Sequence, residues 1–281
     1  MKRTTQRNLL LIGLVILLAG CTSEKKNEGF TVKAKINNPE NYTMYLAYQG
    51  DSSYVIDTSY TMEDGWPVFK GKVDEPVVAS LGVRGNPKNT VVTDQGFIPG
   101  PSLNFVLSNE NIEIEGNADD TYMARVIGGK ANEEWNTIKG ELNKITGENW
   151  QSTKKRFAAE TTAAEKELLN KQQQENSNRE KQLTNDFIKS HPNSFVSMYL
   201  LAGKVNELDL ADLKTAYSQL GNEYKNTSYG KSISDKIKNM EATAIGQSAI
   251  PINKKDLNGN PVNLETLKGK YVLLDFWGSW C

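Results

Sequence analysis

From Phe30 the chain alternates. Phe30, Val32, Ala34 and Ile36 are apolar, and Thr31, Lys33 and Lys35 between them are polar. That period of two marks a strand with one buried face. Asn37-Asn38-Pro39 is turn chemistry. The same pattern predicts strands over 44–48, 54–59, 68–72, 77–83, 103–107 and 112–115, with Gln49-Gly50-Asp51 and Glu63-Asp64-Gly65 as punctuation. Many short strands at this spacing predict a β-sandwich or a small barrel. The aromatic residues of this stretch are read as core filling rather than as a binding face.

From about Gly129 the period lengthens. Residues 130–190 contain no Pro and are dense in Glu, Lys, Gln and Ala, all good helix formers. Their mixed charges suit solvent-exposed faces laced by pairs three and four apart. A helical hairpin with a break near Gly147 is expected, in preference to a long coiled coil. Residues 191–243 predict shorter helices. Pro192 and Asn193 suit the start of one over 195–201, and the amphipathic stretch 208–220 stops at Gly221, expected as a C-cap. His191 is the only histidine, and nothing in the local sequence offers it catalytic or metal-binding partners.

The length of 281 residues suggests about two folded units plus any targeting segment. With 33 Lys+Arg against 34 Asp+Glu, charge gives no reason to expect nucleic acid as a partner. The two cysteines, Cys21 and Cys281, lie near and at the ends of the sequence.

Lys2, Arg3 and Arg7 precede an apolar run over 9–19, the pattern of an export signal. The run is shorter than the about 20 apolar residues that span a bilayer. Leu18-Ala19-Gly20-Cys21 then resembles a bacterial lipobox. The resemblance implies a signal peptide over 1–20, thioether lipidation of Cys21 and cleavage before it. Losing the three cations would take the formal charge from −1 to −4. Residues 21–29 would form a solvated tether. An ordinary cleaved signal, or a buried helix with a free thiol, is the alternative. Thr22 after Cys21 resembles outer-membrane sorting in the best-known systems. The expected location is therefore the cell envelope, lipid-anchored in the outer membrane and facing the periplasm.

Within the β-rich stretch, Tyr45-Leu46-Ala47, Ile56-Asp57-Thr58, Asp64-Gly65 through Phe69-Lys70-Gly71, and Val73-Asp74-Glu75-Pro76 carry a resemblance of their own. They are similar to the β domain of unassigned function found ahead of thioredoxin-like domains in some envelope lipoproteins. His191-Pro192-Asn193-Ser194 resembles a junction of the same family.

The last 36 residues carry the chemistry. Asp256-Leu257-Asn258-Gly259-Asn260-Pro261 reads as a turn between two strand-like pieces, and 264–268 as one helical turn ending at Gly269. Residues 271–277 are an apolar run expected to form a strand buried on both faces. The stretch from Gly269 through Leu274-Asp275-Phe276-Trp277-Gly278-Ser279-Trp280-Cys281 resembles the first core strand and active-site start of thioredoxin-like thiol–disulfide oxidoreductases, of the envelope-anchored kind that includes cytochrome c maturation. The resemblance implies a Trp-Cys-x-x-Cys site with Cys281 as attacking cysteine. Trp280, with Trp277, would shape the docking surface. Asp275, six residues before the cysteine, would be the buried acid that passes protons to and from the resolving cysteine. A strand-end Asp bonded to backbone is the plainer reading of Asp275. The family's Ala-Pro-Asp-Phe is Ala249-Ile250-Pro251-Ile252 here, so the way into the domain differs.

The expected fold is α+β. It comprises a β-sandwich-like domain over 30–128, a helical region over 129–245 and, over 246–281, the start of a truncated thioredoxin-like α/β domain. Cut off at its first cysteine, that last piece is expected to be poorly ordered or merely packed on the helices. Expected partners are protein thiols and disulfides, a redox partner protein and a membrane; no cofactor and no metal is called for. The alternative is a non-catalytic envelope lipoprotein that binds a partner through its β and helical regions. A thiol peroxidase is disfavoured by the Trp280-Cys281 pair.

Overall fold

The alternation that begins at Phe30 becomes β1 (Phe30–Asn37), with its four apolar residues buried. The computed structural model describes residues 28–38, 40–50, 53–278 and 280. Ten more strands follow: β2 (Thr43–Gln49), β3 (Tyr54–Asp57), β4 (Thr61–Glu63), β5 (Trp66–Gly71), β6 (Val77–Arg84), β7 (Thr90–Thr93), β8 (Gly96–Pro99), β9 (Leu103–Leu107), β10 (Asn111–Asn117) and β11 (Arg125–Ile127). One sheet runs β11-β10-β1-β5-β4 and a second runs β3-β2-β6-β9. Pairing is antiparallel except between β1 and β10, where Val32 faces Ile112 and Ala34 faces Ile114 in parallel register.

The two sheets close over one apolar cluster. Val32, Ile36, Phe69 and Ile114 enter it from the first sheet, and Leu46, Leu81, Leu103 and Phe105 from the second. Period-two patterning sends alternate residues to that core. The seven strands expected from sequence are present, within one to two residues at most ends. Four short strands, β4, β7, β8 and β11, were not expected; each spans only three or four residues.

Five helices follow: α1 (Lys130–Arg156), α2 (Ala163–Ser190), α3 (Phe195–Gly203), α4 (Leu210–Gln219) and α5 (Ser228–Ala242). The first two form the expected hairpin, but α1 does not break at Gly147. A Cβ there would come within 3.2 Å of the Tyr122 hydroxyl, so the glycine admits Tyr122 against an unbroken helix. The turn comes at 157–162. It ends in a capping box, where the Glu165 N–H donates to Thr162 Oγ1 at 3.3 Å and the Thr162 N–H donates to Glu165 Oε2 at 2.9 Å. Gly221 is not a left-handed C-cap either. Helix α4 ends at Leu220 in extended geometry. The Gly221 N–H donates to Pro192 O at 2.8 Å, and a Cβ would strike Asn193 Oδ1. Ser194 caps α3. His191 ends α2 stacked on Phe187, with ring centroids 4.3 Å apart.

The helices cover the outer face of the second sheet. Strand β9 sends Phe105 into the sandwich and Val106 the other way, among Trp135, Phe187, Phe195 and Val196. As an edge strand β9 would expose unpaired backbone, and α1 closes that edge. The Val106 N–H donates to Asn132 Oδ1 at 2.8 Å, and Asn132 Nδ2 donates to Val106 O at 2.9 Å. About two turns further on, Lys139 Nζ donates to Asn104 O. From α5, the Tyr229 hydroxyl accepts from the Val78 N–H at 3.2 Å.

Lys139 is only 7% exposed. Its ammonium lies 4.6 Å from the Trp135 ring, and no carboxylate pairs with it among the described residues. Burial pushes its pKa from 10.5 down to about 7. Between those values the unfolded chain binds a proton that the folded chain does not, so raising the pH favours the fold; below about 7 both states bind it and the slope vanishes. At about 1.4 kcal/mol per pH unit, the native protein should gain about 2–3 kcal/mol over a Lys139→Met variant between pH 7 and 9.5. Urea titrations of the two proteins at both pH values measure this. A constant difference would mean that Lys139 keeps its charge throughout.

Candidate functional site

The residues singled out by sequence lie in and before the last eleven positions. Leading to them, β12 (Asn253–Lys255) and β13 (Pro261–Asn263) form the expected small hairpin. Asp256 organises its turn. One carboxylate oxygen accepts from the Asn258 and Asn260 N–H groups, both at 2.8 Å, and the other accepts from Asn260 Nδ2 at 3.1 Å. These bonds, the Asn260 side chain first, hold the Asp256 carboxyl below its ordinary pKa. Gly259 supplies the positive φ of 86° that closes the turn. The expected helical turn is a 3-10 turn, Leu264–Leu267, capped by Asn263, whose Oδ1 accepts from the Glu265 N–H at 2.9 Å. It ends before Gly269, with φ of 85°.

Beyond Gly269 the buried strand expected over 271–277 is not formed, whereas the expectation that this last piece builds no core of its own agrees with its exposure. Residues 271–277 form no strand. Tyr271, Leu273 and Phe276 are almost fully exposed, and no side chain of 246–278 is buried. A strand buried on both faces needs pairing neighbours and a covering layer, and the described residues place neither beside it. Asp275 is accordingly exposed rather than held in an apolar core. Trp277 and Trp280 are exposed too. These three lie within six residues of one another in the sequence, and among the described residues none of them makes a hydrogen bond or ion pair. Cys21 and Cys281 lie outside the described residues.

Among the described residues no three His, Cys, Asp or Glu side chains gather as a metal site. No described helix is long and apolar enough to cross a membrane. Sequence reasoning missed a concave region on the outer face of the second sheet, under the hairpin β7–β8. The signal of the hairpin, though not of the cleft beneath it, was legible: Thr90-Val91-Val92-Thr93 is a β-branched run, and Asp94-Gln95-Gly96 is a turn.

Comparison with known proteins divides the chain. Residues 30–135 match the family described as a domain of unknown function, DUF4369. The match passes β11 and takes in the first turns of α1, including Asn132 and Trp135. Separately, the chain is similar to the thiol-disulfide oxidoreductase ResA of Bacillus thuringiensis (strain Al Hakam). The two are 46% identical over 41 residues, which is 15% of this chain and 24% of that protein. The thiol-disulfide oxidoreductase ResA of Bacillus anthracis matches to the same extent. The chain thus spans about a quarter of the length of the curated relatives it matches. No solved structure matches.

Proposed function

We propose that this chain belongs to a thiol–disulfide exchange protein of the cell envelope, anchored through lipid on Cys21 and reacting through Cys281. The observation that carries the reading is the 46% identity over 41 residues to thiol-disulfide oxidoreductases, taken with Trp277-Gly278-Ser279-Trp280-Cys281. In the proposed reaction the Cys281 thiolate attacks one sulfur of a substrate disulfide. A new S–S bond forms, the old one breaks, and the departing thiolate takes up a proton. A second thiol then attacks the mixed disulfide and releases reduced substrate. In this reading Cys21 is committed to lipid, so the resolving thiol is another cysteine. Trp280 and Trp277 present the surface on which a protein disulfide docks, and Asp275 serves the proton transfer of the resolving step. A β body bearing DUF4369 would hold the reactive segment away from an outer-membrane surface. Partners are then protein thiols and disulfides, a redox protein and the membrane.

The test is a trapping experiment on a Cys21→Ser chain, in which Cys281 is the single thiol. Incubated with native insulin, whose disulfides are intact, the reduced chain should form an adduct on a non-reducing gel that dithiothreitol reverses. Lack of any adduct at alkaline pH would overturn the proposal. It would favour the second reading, a lipoprotein that binds a partner through its β and helical regions. That reading draws on the ordered, buried cores of those two regions and the exposure of 271–277.

A further inference from the structure

The outer face of the second sheet has two fates. Towards β9 it is covered by helices; towards β3 it is open, and there it forms a cleft of about 490 Å³. Its floor is Tyr45 and Ala47 of β2. A Cβ on Gly82 would strike the Tyr45 ring, so that glycine lets the ring lie across the neighbouring strand β6. The Tyr45 hydroxyl is fixed 3.0 Å from Ser102 Oγ. One wall is Tyr54 and Ile56 of β3, and the facing wall is Phe97 of β8. These three are 61%, 52% and 71% exposed, so large apolar side chains converge on a cavity that nothing described fills. Such convergence marks a binding site more often than a solvated surface.

One residue gives the ligand its sign. Arg84 is the sole charged side chain lining the cleft among the described residues. Its guanidinium is held over the Tyr45 ring, 5.4 Å from the centroid. Among the described residues it has no carboxylate partner and its side chain donates no hydrogen bond. A planar fork of free donors at the rim of an apolar cavity matches a carboxylate on an apolar body. The volume suits a small molecule. The free edge beside it, β3, is only four residues long, too short to template an added peptide strand well.

We propose that this cleft binds an amphipathic carboxylate, with its acyl or aryl body between Ile56 and Phe97 over Tyr45 and its carboxylate on Arg84. The site is independent of the thiol chemistry proposed for Cys281.

Calorimetric titration of the full chain with decanoate and with decanol tests this without any variant. Decanoate should bind saturably and decanol about tenfold more weakly, the effect of one charge-assisted pair. Arg84→Gln should bring decanoate down to the affinity of decanol and leave decanol unchanged, whereas Phe97→Ser should weaken both. Both side chains are exposed, and an unchanged urea midpoint confirms that the variants fold. Equal affinity of the native chain for the two probes, no saturable binding of either, or indifference to Arg84→Gln would each overturn the proposal. So would saturable binding of an extended apolar peptide without binding of decanoate, which would assign the cleft to a protein partner.

Discussion

Cys281→Ser, introduced into a chain already carrying Cys21→Ser, is expected to lose the insulin adduct completely. A serine hydroxyl does not ionise near neutral pH and does not displace a thiolate from a disulfide, so the loss is all-or-none. The informative measurement is the pH profile of the parent. An unperturbed cysteine has a pKa of about 8.5. A cysteine at the first turn of a helix after a core strand, as the thioredoxin resemblance implies, has a lower one. A fall of about two units would raise the thiolate fraction at pH 7 roughly 25-fold. The intrinsic nucleophilicity of the thiolate would fall about eightfold with a Brønsted coefficient near 0.45, which leaves a net gain of only about threefold. The rate at one pH therefore discriminates poorly, whereas the midpoint of the profile discriminates well. Because 271–277 forms no strand here, the profile separates two settings: reaction with a small aromatic disulfide from pH 5 to 10 should show a midpoint below about 8.5 if the strand and helix that the resemblance implies form around Cys281. A midpoint at or above that value would make Cys281 an ordinary exposed thiol.

Where a residue pattern answers to its own neighbours, the sequence was enough. The inward face of β1 was legible because Phe30, Val32, Ala34 and Ile36 needed only a period of two. The Asp256 turn was legible because its hydrogen bonds lie within five residues. Errors arose where a distant partner decides. Gly147 reads as a helix breaker until Tyr122 is seen against it, and Gly221 reads as a C-cap until Asn193 is. The apolar run 271–277 reads as a core strand, yet burial belongs to the layer that would cover it, and the described residues place none there. Of the candidate site, residue types and order were legible; the exposure of Asp275 was not. The cleft under β7–β8 was missed because Arg84, Ile56 and Phe97 come from three different strands, and no local pattern joins them.

Asn132 ties these scales together, and its replacement is expected to be the most damaging single change in the described body. Asn132 is 2% exposed. Its amide satisfies both backbone groups of Val106, and Nδ2 also lies 3.1 Å from Gly128 O. Asn132→Leu keeps the bulk but leaves the Val106 N–H and C=O buried and unpaired, at about 1–3 kcal/mol each. A loss of about 3–5 kcal/mol is therefore expected, a large share of the about 5–15 kcal/mol that holds a typical domain. Asn132→Asp should not rescue it, because a carboxylate can accept from the Val106 N–H but cannot donate to the carbonyl. Asn136→Ala, one turn on, removes a single bond to Val126 O and should cost about 1 kcal/mol. Urea unfolding followed by tryptophan fluorescence reports from α1 through Trp135 and Trp150 and from β5 through Trp66. If α1 and β9 form one cooperative unit, the Asn132→Leu midpoint falls as a single transition. A drop of under about 1 kcal/mol would show that the apolar contacts of Val106 and Trp135, rather than the amide, hold the seam. The match over 30–135 ends just past this seam, as expected if the β body needs the first turns of α1 to close its own edge.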